Sequence, residues 1–97
     1  MTNIEALMKE VLDKQGISYV QEYPLRSGFI IDFAILDKRI AIECDGEKWH
    51  GSKKARKRDA FRDLFLKRAG WKTLRFSGNE IENNIEWCIN TIKMVLG

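Results

Sequence analysis

The stretch FIIDFAILDKRIAIECD, residues 29–45, decides the fold of this chain. Two runs rich in β-branched and aromatic residues, FIIDFAIL and RIAIECD, are separated only by Asp37 and Lys38, a link too short for anything but a β-hairpin. If Leu36 pairs with Arg39, every apolar position of one face is matched by an apolar partner, which predicts the core face of a sheet. That face consists of Ile31, Phe33, Ile35, Ile40, Ile42 and Cys44.

The same register gathers carboxylates on the opposite face of the hairpin. Asp32 falls opposite Glu43, and Asp45 lies one diagonal step away. Like charges placed directly opposite each other destabilise a ladder and raise a carboxyl pKa, so we expect a cation to neutralise them. A hard divalent ion, Mg²⁺ or Mn²⁺, suits carboxylate oxygens. The alternative is a solvated face, on which the small Ala34 and Ala41 leave room for a cleft or a second packing layer.

The pattern around the hairpin predicts one α/β domain with the element order αβββαβα. Thr2-x-x-Glu5 is typical of a capping box and predicts a helix over residues 3–15 that ends at Gly16. The other predicted elements are a strand at 17–22, a helix from Ser52 to Gly70 with the apolar stripe Phe61, Leu64 and Phe65, a strand at 71–76, and a last helix that starts at Ser77, Gly78 and Asn79.

Length and composition limit the class of protein. A chain of 97 residues suffices for one domain, and 44% hydrophobic with 32% charged residues excludes a disordered tail or a fibrous repeat. No apolar run approaches the roughly 18 residues of a membrane span, so we expect a cytoplasmic protein without a membrane partner. Two cysteines and one histidine are too few for a four-ligand zinc site.

Positive charge is concentrated in one segment of the chain. Residues 53–75 carry ten Lys or Arg against two Asp, whereas the rest carries seven against twelve acidic residues. Such a block is typical of a protein that binds phosphates, although a solvated helix face also collects Lys and Arg. The predicted nucleic-acid contacts are Lys53, Lys54, Arg56, Lys57, Arg58 and Arg62, with Trp49 either stacking on a base or packing as a lid.

Three further residues have a functional and a structural interpretation. His50 is the only histidine and follows the acidic strand, so it either moves a proton to or from water or stands in a loop without a role. Asp59 either forms an intrahelical salt bridge with Arg62 or orients His50 or a metal-bound water. Glu5 either completes the capping box or lies at the edge of the buried face.

Several motifs together resemble a known family. IDF at 31–33, ECDGEKWH at 43–50, and RD followed by GWKTLRF resemble the very short patch repair (Vsr) endonucleases. They are still more similar to phage homing endonucleases with an E-D-x-H-D residue pattern, within the PD-(D/E)XK restriction-endonuclease-like superfamily. The resemblance runs from Glu5 to Phe76. It implies a metal-dependent phosphodiesterase with a restriction-endonuclease-like core, in which helices flank a central mixed sheet.

The resemblance also implies roles for single positions. Asp45 stands where the repair enzymes have a second histidine, and Glu43 where they have an apolar residue. Asp32 with Glu43-x-Asp45 therefore resembles the D…(D/E)-x-K arrangement of the superfamily without its lysine. The zinc-binding residues of the repair enzymes are absent, so mismatch recognition is not implied. The matching positions are Glu5 as the first-helix acid, Asp32 as the metal-binding aspartate, the Cys44 main-chain carbonyl as a metal ligand, His50 as the catalytic histidine and Asp59 as the final aspartate.

These features predict a Mg²⁺-dependent endonuclease that hydrolyses double-stranded DNA without a nucleotide cofactor. Residues 1–97 are expected to form one nuclease catalytic domain of a longer modular protein, most similar to a homing endonuclease and with an additional DNA-recognition domain. The alternatives are a catalytically silent nucleic-acid-binding module of the same fold, a Vsr-like repair nickase, and a metal-dependent RNase or junction resolvase.

Overall fold

A four-stranded mixed sheet lies at the centre of the computed structural model, which describes residues 3–46 and 53–97, with side chains from residue 57 onward in the second range. β2 is antiparallel to both β1 and β3, whereas β3 and β4 are parallel. Parallel neighbours require a crossover, and helix α2 (Lys53–Arg68) supplies it. The strands, in spatial order, are β1 (Val20–Pro24), β2 (Ile30–Ile35), β3 (Ile40–Asp45) and β4 (Lys72–Ser77).

Helices cover both faces of the sheet. α1 (Ile4–Lys14), α3 (Gly78–Asn83) and α4 (Ile85–Leu96) contribute to one core with the sheet, and α2 contributes to a second cluster of buried residues. The last predicted helix is divided into α3 and α4 because Asn84 leaves helical geometry, with φ −145° and ψ 41°. The predicted order and the helix-flanked mixed sheet are otherwise confirmed. None of the helices in the described ranges combines the length and the apolar character that crossing a membrane demands.

The hairpin has the predicted register but a wider turn. Four residues, 36–39, form the turn, and Arg39 takes φ 52°. Leu36 and Arg39 therefore belong to the turn rather than to the ladder, and losing one pair at the turn leaves the pairing of the remaining residues unchanged. The partners are Phe33 with Ile42, Ala34 with Ala41, and Ile35 with Ile40.

Helix α2 packs on the sheet through a different residue from the predicted stripe. Phe61, Leu64 and Phe65 are exposed, whereas Leu66 is fully buried. Ile31 was predicted to share a face with Phe33, but it packs on the α2 side of the sheet. Residues two positions apart in a regular strand face the same side, so β2 must be distorted at Asp32, which lies between Ile31 and Phe33. Opposite Asp32, Glu22 of the neighbouring strand has a φ of 52°. The second cluster consists of Ile31, Ala34, Ala41, Leu66 and Trp71.

Helix α1 begins one residue later than a capping box on Thr2 requires. Asn3 is the N-cap, and its Oδ1 accepts hydrogen bonds from the backbone N–H groups of Glu5 and Ala6 at 3.0 and 3.2 Å. Glu5 therefore occupies the second helical position instead of the third, where a capping-box acid belongs. The predicted capping role of Glu5 is wrong, because the Asn3 side chain already satisfies the first donors of the helix.

Candidate active site

Asp32 lies where β2 and β3 separate. Regular pairing of the two strands ends at Phe33 and Ile42, and beyond that pair the Asp32 Oδ2 accepts a hydrogen bond from the Cys44 backbone N–H at 2.8 Å. The N–H and C=O of one strand residue point to the same side, so the Cys44 carbonyl also faces β2. The Asp32 carboxylate and the Cys44 carbonyl are thus directed into the gap between the strand ends.

Glu43 is buried beneath α2 and paired with an arginine of that helix. It is 1% exposed, and its Oε2 lies 2.6 Å from the Arg62 Nη2. The same nitrogen donates a hydrogen bond to the Ile30 carbonyl at 2.7 Å. Because Ile30 begins β2 and Glu43 lies in β3, the guanidinium ties α2 to both strands that carry the acidic residues.

The Glu43 carboxyl is poised between its neutral and charged forms. Burial raises the pKa of Glu43 to about 7, Arg62 opposes this rise and the Asp32 charge adds to it. The charge of Asp32 is thus close enough to act on Glu43, and the Glu43 Oε1 is buried without a hydrogen-bond partner. A proton or a cation relieves the repulsion between two neighbouring carboxylates. The site therefore contains carboxylate oxygen atoms that can bind a proton or a cation.

Asp45 is held by an arginine of the neighbouring strand. Its Oδ2 lies 2.9 Å from the Arg75 Nε, and the Arg75 Nη2 lies 2.8 Å from the Asp63 Oδ1 of α2. Of the three carboxylates predicted to converge, the structure brings Asp32 and Glu43 together and engages Asp45 with Arg75. Two arginines thus supply charge compensation that the sequence pattern assigned to a metal ion.

The hairpin sequence alone does not identify these arginines. Arg62 was predicted to contact a phosphate, and Arg75 was given no role. Arg75 stands opposite Glu43 in the parallel ladder of β3 and β4, a relation that exists only once the crossover places β4 beside β3. The available signal was a charged residue near the centre of each of the two strands that precede and follow α2.

Glu5 approaches the same site from α1. Burial raises the pKa of its carboxyl, and the charges of Asp32 and Glu22 raise it further. The pKa of the Cys44 thiol is also raised, first by burial and then by Asp32 and Glu5. Glu5 is half-buried, which agrees with its second interpretation, a position at the edge of the buried face.

The remaining predicted site residues belong to α2 and the segment before it. Trp49 and His50 lie outside the described residues, as do the side chains of Lys53, Lys54 and Arg56. The other three are exposed Lys57 and Arg58, and half-buried Asp59, which precedes Arg62 by three positions.

The oxygen atoms around Asp32 suit a magnesium ion that keeps several waters, rather than a metal ion enclosed entirely by side chains. Within residues 3–46 and 53–97, no group of three or more His, Cys, Asp or Glu side chains is arranged to hold a metal. The predicted ligands do not require such a group, because the Cys44 carbonyl is a main-chain donor and Asp32 and Glu43 supply the carboxylates. Mg²⁺ is ordinarily bound by one or two carboxylates and keeps several waters. The buried Glu43 Oε1 without a partner is consistent with this donor set.

The sheet order and the α2 crossover are those of a restriction-endonuclease-like fold, and comparisons with known proteins assign the chain to a nuclease domain of that class. Residues 5–96 match the restriction-endonuclease-like family REase_MTES_1575, and the chain belongs to this family. It is similar to the solved structure of the Homing Endonuclease I-Bth0305I Catalytic Domain, with a TM-score of 0.82 and 26% sequence identity. That similarity covers 98% of this chain and 94% of the other. The predicted resemblance to this superfamily is confirmed.

Two bacterial proteins are similar in sequence. An uncharacterized protein of Haemophilus influenzae is 32% identical over 81 residues, which cover 84% of this chain and 65% of that protein. The uncharacterized protein YcjD of Escherichia coli is 36% identical over 72 residues, which cover 74% of this chain and 58% of YcjD. The matched part of this chain thus spans about three fifths of the length of these curated relatives.

Proposed function

We propose that this chain is the catalytic domain of a Mg²⁺-dependent endonuclease that hydrolyses phosphodiester bonds of double-stranded DNA. The observation that carries the proposal is the Asp32 carboxylate at the separated end of the hairpin, which accepts a hydrogen bond from the Cys44 N–H and raises the pKa of Glu43. Similarity to a homing endonuclease catalytic domain supports the same role for this chain.

Asp32, Glu43 and the Cys44 carbonyl are the residues that would hold Mg²⁺, or Mn²⁺ in its place. When bound, the ion polarises the scissile phosphate and stabilises the leaving oxygen. The Cys44 N–H fixes the orientation of the Asp32 carboxylate through its hydrogen bond. Arg62 compensates the charge of Glu43, so we assign this arginine to the site and not to a phosphate contact.

His50 is the proposed proton-transfer group, and Asp59 the residue that orients it. A histidine titrates near neutral pH and can accept the proton of the attacking water. Glu5 is the proposed second acid beside Asp32. The exposed Lys57 and Arg58 are proposed phosphate contacts, together with Lys53, Lys54 and Arg56, and Trp49 is the proposed stacking residue.

A catalytically silent nucleic-acid-binding module is the second candidate function. The observation that favours it is the engagement of Glu43 and Asp45 by Arg62 and Arg75, which already compensates part of the acidic charge. We also propose that the complete protein carries a further DNA-recognition domain, because the structure to which the chain is similar is the catalytic domain of a homing endonuclease.

Cleavage of a supercoiled plasmid in Mg²⁺, Mn²⁺ or EDTA tests the proposed function. Asp32→Asn should abolish cleavage and leave folding and DNA affinity nearly unchanged, because the amide oxygen still accepts from Cys44 N–H while the charged ligand is lost. Asp37→Asn, in the exposed turn of the same hairpin, is the matched control and should cleave as the wild type does.

Two results would contradict the proposal. Substantial metal-dependent cleavage by Asp32→Asn would remove this aspartate from the site. A wild-type chain that binds duplex DNA and leaves the plasmid intact with either ion would favour the silent module.

A further inference from the structure

An exposed apolar surface interrupts the basic helix α2. Phe61 is 63% exposed, and the adjacent Leu64 and Phe65 are 47% and 38% exposed. The rings of Phe61 and Phe65 pack against the ring of Phe29, with centroid distances of 6.3 and 5.8 Å. Ile30, next to Phe29, is also half exposed. We call this surface the aromatic strip and define it as Phe29, Ile30, Phe61, Leu64 and Phe65.

Positive charges stand at both ends of the aromatic strip. Residues three or four positions apart share one face of a helix, so Arg58, Phe61, Phe65 and Arg68 form a single row along α2. Both arginines are exposed. A ligand lying along this row meets a cation, two aromatic rings and a second cation in turn.

The aromatic strip borders the candidate active site. Arg62 directly follows Phe61 and contacts both Glu43 and the Ile30 carbonyl. Ile30 in turn precedes Asp32 by two residues. Arg62 therefore connects the segment that carries the strip to Glu43.

We propose that the aromatic strip binds unstacked bases of DNA, so that the preferred substrate has a single-stranded or distorted segment beside the cleaved phosphate. This inference rests on the proposed nuclease function. Stacking on an aromatic ring accepts any base, and the flanking arginines suit the phosphates on either side. A second copy of the chain is a poorer occupant, because a two-fold interface brings together two α2 helices that each carry eight Lys or Arg against two Asp.

Fluorescence anisotropy in EDTA tests the strip without any cleavage. The probes are a labelled single-stranded oligonucleotide of mixed sequence and its fully paired duplex. Phe61→Ala should weaken single-strand binding by about 5- to 150-fold, the effect of one lost stacking contact, and should affect the duplex much less. Phe61→Tyr should restore single-strand binding because it keeps the ring. Met94→Ala, at an 82% exposed position of α4, is the control and should bind as the wild type does.

Unchanged affinity of Phe61→Ala, or equal losses for single strand and duplex, would overturn the inference. A change in sedimentation behaviour with unchanged DNA binding would assign the strip to an interface between copies and overturn it equally. Because binding is measured without Mg²⁺, a Phe61-dependent preference for single strands supports the strip even if the wild type cleaves no plasmid, and only the nuclease function then fails.

Discussion

Arg62 is the side chain that makes a buried carboxylate tolerable at Glu43. A charge removed from water costs several kcal/mol unless a partner compensates it. The Arg62 Nη2 is that partner at 2.6 Å, and the Ile30 carbonyl fixes the same nitrogen from the other side. Without the guanidinium, Glu43 would lose this cation and would still be repelled by the charge of Asp32.

Replacing Arg62 should therefore destabilise the fold. We expect Arg62→Ala to lower the free energy of unfolding at pH 8 toward the lower end of about 3 to 5 kcal/mol, because 24% of the arginine side chain remains in contact with water. Urea denaturation measures the change, and Arg58→Ala, an exposed arginine of the same helix, is the control. Equal losses of unfolding free energy in the two variants would mean that Glu43 takes up a proton when Arg62 is absent, so that no unpaired charge is buried.

The raised pKa of Glu43 predicts how stability depends on pH. Its folded-state pKa of about 7 lies above the ordinary 4.5, so the folded protein keeps a proton that the unfolded chain releases between these values. This contribution to stability is complete below about pH 4.5 and is lost as the pH rises through 7.

Glu43→Gln should consequently flatten the pH dependence of the free energy of unfolding between about pH 5 and 8, measured by urea denaturation in EDTA. Glu86→Gln, an exposed position of α4, should retain the wild-type slope. If wild-type stability rose with pH relative to Glu43→Gln, the Glu43 carboxyl would be charged in the folded protein throughout this range.

At the scale of elements, α2 is attached to the sheet by few contacts. Among residues 57–68, Leu66 alone is buried. Its polar links to the strands include the pairing of Arg62 with Glu43, the Arg62 hydrogen bond to the Ile30 carbonyl and the pairing of Asp63 with Arg75. Over residues 57–68, polar contacts therefore contribute much of what holds this helix over the acidic strands.

Leu66→Ala should cost about 2 to 5 kcal/mol of unfolding free energy, because it leaves a cavity among Ile31, Ala34 and Trp71. Leu64→Ala, two positions away and 47% exposed, removes the same atoms from a wet surface and should cost much less. Urea denaturation compares the two variants. A larger loss of unfolding free energy in Leu64→Ala than in Leu66→Ala would mean that the predicted stripe of α2 packs on the sheet after all.

Local sequence patterns predicted the hairpin but not which face of α2 packs on the sheet. Alternating apolar residues define the register of β2 and β3, because a slip by one residue would expose Ile40 and Ile42. In α2, by contrast, three apolar residues of one stripe outnumber the single Leu66, and yet the stripe is exposed. Its orientation is set by partners distant in sequence, which a local pattern does not contain.

In the acidic site, too, local patterns predicted some features and missed others. Hairpin register and the motif resemblance to the superfamily each point to Asp32, although the regular ladder ends one pair before it. The pairing of Arg75 with Asp45 depends on the order of strands across the α2 crossover. Charged partners from other elements are therefore the part of the site that sequence patterns missed.

At the scale of the whole molecule, the two helical layers carry opposite charge. α2 has eight Lys or Arg against two Asp, whereas α1, α3 and α4 together have three Lys against six acidic residues. A polyanion is attracted to the α2 layer and repelled by the other. This polarity should orient duplex DNA toward the side of the sheet where Glu43 meets Arg62.

The polarity predicts which lysines and arginines control the salt dependence of duplex binding. Replacing Lys57 and Arg58 together by Ala should lower the slope of log K against log salt by up to about 0.9 for each lost phosphate contact. Replacing Lys9 and Lys14 by Ala removes the same two charges from α1, where they pair with Asp13 and Glu10, and should leave the slope nearly unchanged. Anisotropy in EDTA between about 50 and 200 mM salt measures both slopes. Equal changes would show that affinity follows net charge alone and that α2 holds no phosphate.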